Sequence, residues 1–132
     1  MQLDRMPLGK AIRLMLTEDA KIPQKLLEEI EKIEKVTDAI ARAFRRGGRL
    51  FYVGAGSSGR LGVLDASECP PTFRSPAKMV LGIIAGGQSA LQKSVEGAED
   101  DVGAGEIEIQ SRGVNRRDVV VGIAASGTTP FV

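Results

Sequence analysis

A glycine- and serine-rich loop after an apolar run is the first part of this sequence whose residue types could do chemistry. Residues 54–59 read Gly-Ala-Gly-Ser-Ser-Gly and follow the apolar residues 50–53. Glycines let a backbone approach an anion closely, and the free amides at the start of a helix point toward it. The loop therefore predicts a phosphate cradle. Its candidate binding residues are Gly56, Ser57, Ser58 and Gly59.

Two nucleotide sites fit this loop less well. The pattern Gly-x-Gly-x-x-Gly of a dinucleotide site requires an acidic residue about 20 positions further on, at the end of the second strand. Residues 84–88, Ile-Ala-Gly-Gly-Gln, contain no acid. A nucleoside triphosphate loop requires Gly-Lys followed by Ser or Thr, which is absent from this loop. A tight strand-to-helix turn without a ligand remains the alternative to the cradle.

A second hydroxyl-rich turn follows the apolar run at residues 118–124. Its candidate phosphate-binding residues are Ser126, Gly127 and Thr128. Ligands of parallel sheets bind where the carboxyl ends of the strands meet. The two turns are therefore expected to hold one phosphate together.

Acidic residues are the main candidates for proton transfer, because the chain contains no histidine. That composition excludes Ser-His-Asp and Cys-His catalysis within the chain and leaves carboxylates, lysines, Tyr52 and Cys69. Glu68 precedes two prolines, which would fix the backbone around it. Residues 96–101 contain four acids, and residue types alone do not choose among them.

The overall composition excludes several classes of function. The chain has 132 residues, a net charge of +1 and one cysteine, Cys69. A near-neutral charge gives no reason to expect nucleic acid or a membrane surface as a partner. A single cysteine excludes an internal disulfide and a multi-cysteine zinc site, and Cys69 is interpreted as a packing residue. Without a secretory signal or an apolar run of about 20 residues, the cytosol is the predicted compartment.

Residues 1–46 are predicted to form an N-terminal helical segment. A short helix and a connection occupy residues 1–22. From Pro23, apolar residues recur at steps of three and four, which predicts one amphipathic helix of roughly six turns. Gly47 and Gly48 are expected to end it.

Residues 47–132 are predicted to form an incomplete α/β domain. Buried strands are expected at residues 49–53, 79–85 and 118–124. Helices are expected at residues 58–66, 89–95 and 102–111. Pro70 and Pro71 are expected to prevent the first of these helices from continuing. The alternation predicts a parallel sheet flanked by helices. Further strands would come from another chain, from self-association or from a longer parent protein.

The residues from Tyr52 to Phe73, YVGAGSSGRLGVLDASECPPTF, resemble the signature of the N-acetylmuramic acid 6-phosphate etherases. Residues 84–87, 95–100 and 118–127 are similar to the next blocks of that family, in the same order, and the resemblance extends from about Leu3 to Val132. It implies a sugar isomerase (SIS) fold of the three-layer, flavodoxin- or Rossmann-like type. It also implies a cytoplasmic homodimer that recycles peptidoglycan sugar without a metal or organic cofactor.

The reaction implied by the resemblance cleaves the D-lactyl ether of N-acetylmuramic acid 6-phosphate. Lactate is eliminated across carbons 2 and 3 of the open-chain sugar, and water is then added, giving N-acetylglucosamine 6-phosphate and D-lactate. The family's two catalytic glutamates match Glu68, assigned as the acid that assists lactate departure, and Glu99, assigned as the base. The residues matched to phosphate binding are Ser57, Ser58, Ser126 and Thr128.

The chain departs from the family pattern at two positions, and other functions remain open. Many family members have Arg where Thr128 stands and Gly where Arg74 stands. One alternative is a sugar-phosphate-binding regulatory module like the animal glucokinase regulatory protein, which resembles this family; an inactive fragment is another. A phosphosugar aldose–ketose isomerase is disfavoured by the missing histidine. The presence of both Glu68 and Glu99 favours the enzyme.

Overall fold

A computed structural model of the chain describes residues 3–132. Their contacts divide them into two compact units, one up to Asp38 and one comprising Ala39–Val132. The helices are α1 (Leu8–Asp19), α2 (Ile22–Glu28), α3 (Ile30–Arg45), α4 (Gly56–Phe73) and α5 (Val102–Ser111). The strands are β1 (Leu50–Gly54), β2 (Val80–Ile84) and β3 (Val119–Ile123), and short 3₁₀ turns occupy Leu3–Arg5, Gly87–Leu91 and Ala98–Asp100. Between residues 3 and 49, every regular element is helical, as predicted for the N-terminal segment.

The predicted six-turn helix is interrupted at Glu29, so that expectation was wrong at one point. Pro23 lies in the first turn of α2, as predicted. The amide of Glu29 donates to the carbonyl of Leu26, three residues back, at 3.0 Å, and α3 begins at the next residue. A one-residue turn leaves the three- and four-residue spacing of the apolar side chains intact. Periodicity therefore could not reveal the break.

The three strands form one parallel sheet with the order β2-β1-β3. Leu50 of β1 lies opposite Val80 and Val119, and Gly54 lies opposite Ile84 and Ile123. The parallel α/β architecture expected from the sequence is therefore confirmed. Because the strands run in the same direction and in register, the segments that leave all of them emerge at one edge of the sheet.

The sheet separates two layers of packing. Phe51, Val53 and Ile83 point to one face, where they form a buried cluster with Ala85 and Phe131. Side chains of α5 pack against this cluster, among them Ala104 and Ile109. Helix α4 covers the opposite face. Helices on both faces remove apolar strand residues from water, which is the main favourable contribution to folding.

The third strand is not buried, contrary to the prediction. Its residues alternate between half-buried and exposed, and the side chain of Val120 is 46% exposed. β3 is an edge strand of the described sheet and pairs on one side only. Its apolar composition predicted a strand correctly, but burial depends on neighbours that the strand's own sequence does not specify.

Helix α4 runs past the two prolines that were expected to stop it. It continues through Pro70 and Pro71 to Phe73, and Arg74 follows in the left-handed region with a φ of 53°. Both prolines lie in the last turn, where they remove the hydrogen bonds to the carbonyls of residues 66 and 67 and set their rings against these carbonyls. Ser67 is exposed, so water can bind the carbonyl that is left without a donor there.

Residues 89–95 do not form the predicted helix. A 3₁₀ turn occupies Gly87–Leu91, and no regular helix follows it before residue 98. The carbonyls of Ala90, Leu91 and Lys93 accept hydrogen bonds from the side chain of Arg60 on α4. A distant arginine thus binds carbonyls that an α-helix would have used internally.

Helix α4 approaches β1 and β2 closely because Gly59 carries no side chain. A Cβ atom at this position would lie 2.6 Å from the carbonyl oxygen of Gly54 and 2.7 Å from Cγ1 of Ile84. Both separations are shorter than van der Waals contact. The last glycine of the Gly-x-Gly-x-x-Gly pattern is therefore explained by helix–sheet packing, and it need not touch a ligand.

An ion pair between Arg49 and Asp118 joins the start of β1 to the start of β3. Nη2 of Arg49 lies 2.8 Å from Oδ2 of Asp118, whose side chain is only 1% exposed. The backbone amides of Arg49 and Asn115 also donate to this carboxylate. The hydrogen bond from the Arg49 side chain, followed by those from the two amides, lowers the pKa of Asp118 below its usual value. Asp118 is therefore charged at neutral pH.

Replacing Arg49 with alanine should lower the free energy of unfolding at pH 7 by about 2–3 kcal/mol, the value of hydrogen bonds to a charged group. Because the folded-state pKa of Asp118 is depressed, this stabilisation is present above pH ~4 and is lost as the pH falls through the folded-state pKa. Urea denaturation of Arg49→Ala at pH 7 and below pH ~4 measures this loss in the free energy of unfolding. Arg46→Ala, at an exposed position, is the control. An equal loss from both variants at pH 7 would contradict the prediction.

Candidate functional site

The predicted phosphate cradle forms the first turn of α4. Ala55 is extended, with a φ of −119°, and Gly56 follows with a φ of 52°, in the region that favours glycine. The first intrahelical bond shown at this end joins the amide of Gly59 to the carbonyl of Ala55. Among the described residues, the amides of Gly56, Ser57 and Ser58 have no hydrogen-bond acceptor. Together with the partial positive charge of a helix N-terminus, they can bind an anion.

A cavity of about 130 Å³ lies beside this turn. Gly56 and Arg60 of α4 form one side of it, and residues 93–99 form the other. Four charged residues line it: Arg60, Lys93, Glu96 and Glu99. A hydrogen bond fixes the backbone of Glu99, because its carbonyl accepts from the amide of Phe131 at 3.0 Å. The structure therefore places one predicted catalytic residue, Glu99, in the same cavity as the start of the cradle.

The second hydroxyl-rich turn leaves β3 at the same edge of the sheet. The hydroxyl oxygens of Ser126 and Thr128 are 2.8 Å apart and share a hydrogen bond, and the amide of Thr128 donates to the Ser126 hydroxyl at 3.3 Å. Gly127 has a φ of 70°. This turn borders a separate cavity of about 270 Å³ that Gly127 and Thr129 line. The two turns thus share an edge of the sheet, but the described residues do not bring them into one cavity.

The other predicted catalytic residue, Glu68, lies elsewhere on α4. It follows Gly56 by twelve positions, which corresponds to about 18 Å along a helix axis. It is exposed, and a separation of nine residues from Gly59 turns it to the opposite face of the helix. Glu68 does not line the cavity that contains Glu99. Within one copy of the chain, the two glutamates are not brought together.

Tyr52 and Cys69, the other candidates for proton transfer, line a mostly apolar cavity of about 310 Å³ together with Asp65. Burial, followed by a hydrogen bond to Asp65, raises the pKa of Tyr52 to about 12. Burial, followed by the charge of Asp65, also raises the pKa of the Cys69 thiol. Both groups are therefore protonated at neutral pH, and neither is available as a base or a thiolate nucleophile.

Two basic residues of the cavity, Arg60 and Lys93, were missed by the sequence analysis. Arg60 lies four residues after Gly56, a spacing that places two side chains on the same face of a helix. That signal could have identified it. Lys93 offered no signal, since it lies in the segment that was predicted to be helical.

Within residues 3–132, no three His, Cys, Asp or Glu side chains converge to hold a metal ion. In the same range, every helix is too short or too polar to cross a membrane.

Residues 30–132 match the family model described as the glucokinase regulatory protein N-terminal SIS domain. The chain belongs to this SIS-domain family. A SIS domain is a sugar isomerase fold, in keeping with the parallel sheet flanked by helices. The match also covers the whole candidate site, from the first turn of α4 to the turn after β3.

The SIS-domain chain is also similar to curated proteins named N-acetylmuramic acid 6-phosphate etherase. The protein from Cronobacter sakazakii (strain ATCC BAA-894) is 52% identical over 132 residues, which are 100% of this chain and 44% of that protein. The one from Pasteurella multocida (strain Pm70) is 51% identical over 98% of this chain and 43% of its own length. The one from Bacillus cereus (strain B4264) is 51% identical over 100% of this chain and 45% of its own length. The chain thus spans less than half the length of these relatives.

Proposed function

We propose that this SIS-domain chain acts as an N-acetylmuramic acid 6-phosphate etherase in the cytoplasm, releasing D-lactate and N-acetylglucosamine 6-phosphate. The observation that carries the proposal is the position of Glu99, which lines the same cavity as Gly56 at the start of the cradle. A carboxylate beside an anion-binding turn suits a reaction in which a phosphosugar is held by its phosphate and loses a proton elsewhere. The etherase names of relatives about 51% identical over the whole chain support this choice of substrate.

In this proposal the cradle positions the sugar and the glutamates move the protons. The amides of the first turn of α4, with the hydroxyls of Ser57 and Ser58, bind the 6-phosphate. The base Glu99 removes the proton from carbon 2, next to the carbonyl of the open-chain sugar. The bond between carbon 3 and the ether oxygen breaks as a double bond forms between carbons 2 and 3, and the acid Glu68 protonates the departing lactate. Water then adds its oxygen to carbon 3 and a proton returns to carbon 2.

The position of Glu68 requires a further part of the proposal. Glu68 lies about 18 Å along α4 from the cradle and on the outer face of the helix, so it cannot reach the sugar held in its own chain. We propose a homodimer in which Glu68 of one copy completes the site that contains Glu99 of the other. The turn of Ser126 and Thr128 would supply further hydroxyls to the phosphate.

Incubation with N-acetylmuramic acid 6-phosphate in water enriched in ¹⁸O tests the reaction. We expect equal amounts of D-lactate and N-acetylglucosamine 6-phosphate, with the label in the sugar at carbon 3 and none in the lactate, because elimination breaks the bond on the sugar side of the ether oxygen. The Cronobacter sakazakii protein is the matched positive control. Label in the lactate would contradict elimination, and the absence of lactate would contradict the proposed activity.

The family model favours a second candidate function, a sugar-phosphate-binding module that regulates a partner without catalysis. Its description names a regulatory protein, and its match begins at residue 30 and runs to the end of the chain. Such a module needs the cradle of α4 but has no need of Glu99. Binding of the phosphosugar without release of lactate, under conditions where the Cronobacter sakazakii protein is active, would favour this function over the etherase.

A further inference from the structure

The side chain of Arg60 crosses from α4 to a segment 30 or more residues away in sequence. Its Nε donates to the carbonyls of Ala90 at 3.0 Å and of Leu91 at 3.2 Å, and its Nη2 donates to the carbonyl of Lys93 at 3.4 Å. The planar guanidinium group presents its donors in a fixed fork, so several carbonyls can be bound in one arrangement. Arg60 is half-buried, and this contact is therefore partly shielded from water.

Apart from Arg60, the segment is held by local backbone bonds, such as those from the amides of Gln92 and Lys93 to the carbonyl of Ser89. After the 3₁₀ turn Gly87–Leu91, residues 92–97 form no helix or strand. Within the described part of the chain, the carbonyls of Ala90, Leu91 and Lys93 accept hydrogen bonds only from Arg60. Ala90 is 4% exposed, so loss of the arginine would leave a backbone acceptor without a partner next to the core, which is costly.

The same segment forms the wall of the cavity that carries Glu99. Residues 93–99 line one side of this cavity, and Gly56 and Arg60 line the other. The carbonyl of Lys93 is the last one that Arg60 binds, six residues before Glu99. Beyond it, bonds from Ala98 to Val95 and from Phe131 to Glu99 keep the remaining stretch compact. Arg60, on the cradle's own helix, therefore holds this wall at residues 90–93, and the bond from Phe131 holds it at Glu99.

We propose that Arg60 is a positioning residue that holds residues 90–99 against α4 and thereby sets the place of Glu99 beside the phosphate cradle. The effect of Arg60 on catalysis rests on the proposed etherase function, whereas its contact with residues 90–93 does not. Since Arg60 acts through the backbone of this segment, its loss lowers the rate of proton removal more than the binding of the phosphosugar. Displacement of a catalytic group by about 1 Å can cost on the order of 100-fold in rate.

Hydrogen–deuterium exchange of the chain tests the contact without reference to activity. In Arg60→Gln, the amides of residues 88–98 should exchange at least about 10-fold faster than in the unaltered chain, as expected for a segment with few remaining bonds. The amides of β1 and β2 should be unchanged. In Arg60→Lys, which keeps the charge and one donor group, these amides should exchange at a rate between those of the unaltered chain and Arg60→Gln. Arg112→Gln, which removes an arginine bonded to Glu108 on α5, is the matched control and should leave residues 88–98 unaffected.

Kinetics of lactate release test the catalytic consequence. Arg60→Gln should lower kcat by about 10- to 100-fold with little change in KM, and Arg60→Lys should restore part of the loss. Unchanged exchange of residues 88–98 would overturn the proposal, and so would a raised KM with an unchanged kcat, which would make Arg60 a direct ligand of the substrate. If the unaltered chain released no lactate, the etherase function would fail, while the exchange experiment would still decide whether Arg60 holds the segment.

Discussion

Replacing Glu99 with glutamine is expected to lower the rate of lactate release by about 100- to 10,000-fold, the usual contribution of a general base. Glutamine has nearly the same size and shape as glutamate but cannot accept a proton from carbon 2. The cradle amides belong to α4 and do not depend on this side chain. Binding of N-acetylmuramic acid 6-phosphate, measured by calorimetry, should therefore be retained while turnover is lost.

The neighbouring carboxylate provides a matched control. Glu96 lines the same cavity as Glu99, and the sequence alone did not distinguish the acids of this stretch. Glu96→Gln removes the same charge from the same cavity, so a purely electrostatic effect would appear in both variants. We expect Glu96→Gln to keep most of the activity. Equal losses from the two substitutions, or full activity of Glu99→Gln, would contradict the assignment of Glu99 as the base.

Mixing two inactive variants should restore about a quarter of the activity if the sites are completed across a two-fold interface. Glu68→Gln and Glu99→Gln are each expected to be inactive when refolded alone. When equal amounts are refolded together, half of the dimers contain one copy of each variant. Each mixed dimer has one site with both glutamates and one site with neither. Lactate release from the mixture, compared with each variant alone, measures the effect.

The expected recovery of activity in the mixture follows from the position of Glu68 on α4. Glu68 lies on the outer face of α4, about three turns beyond Gly56, so only another copy could place it beside Glu99. A mixture no more active than either variant alone would show that Glu68 does not act across an interface. Sedimentation of the unaltered chain supplies the matching physical measurement, because a chain that remains monomeric at the assay concentration could not show complementation.

The α/β class and the tight turn at the start of α4 followed from patterns within short stretches of sequence. Apolar runs such as residues 79–85 predicted the strands, and the glycines of residues 54–59 predicted a tight turn before a helix. Both signals are local, because a strand buried on both faces requires apolar residues throughout and a positive φ, as at Gly56, favours glycine. The parallel arrangement followed in turn from the alternation of strands and helices.

Errors arose wherever the outcome depended on a distant contact. The helix expected at residues 89–95 was absent, and Arg60, 30 or more residues earlier, binds the carbonyls of Ala90, Leu91 and Lys93 there. The exposure of β3 depended on its place at the edge of the sheet. Propensity and periodicity describe neighbours along the chain, and none of these outcomes was decided there.

The residue types show which chemical groups this chain offers: a glycine- and hydroxyl-rich turn that suits an anion, several carboxylates and no histidine. Which of these groups meet became known from the folded chain. It placed Glu99 and Arg60 at one cavity beside Gly56 and left Glu68 on the far face of the same helix. The physical reason is that residue types fix which protons and charges a chain can offer, whereas distances between them are set by the packing of helices on the sheet and by long-range contacts such as that of Arg60.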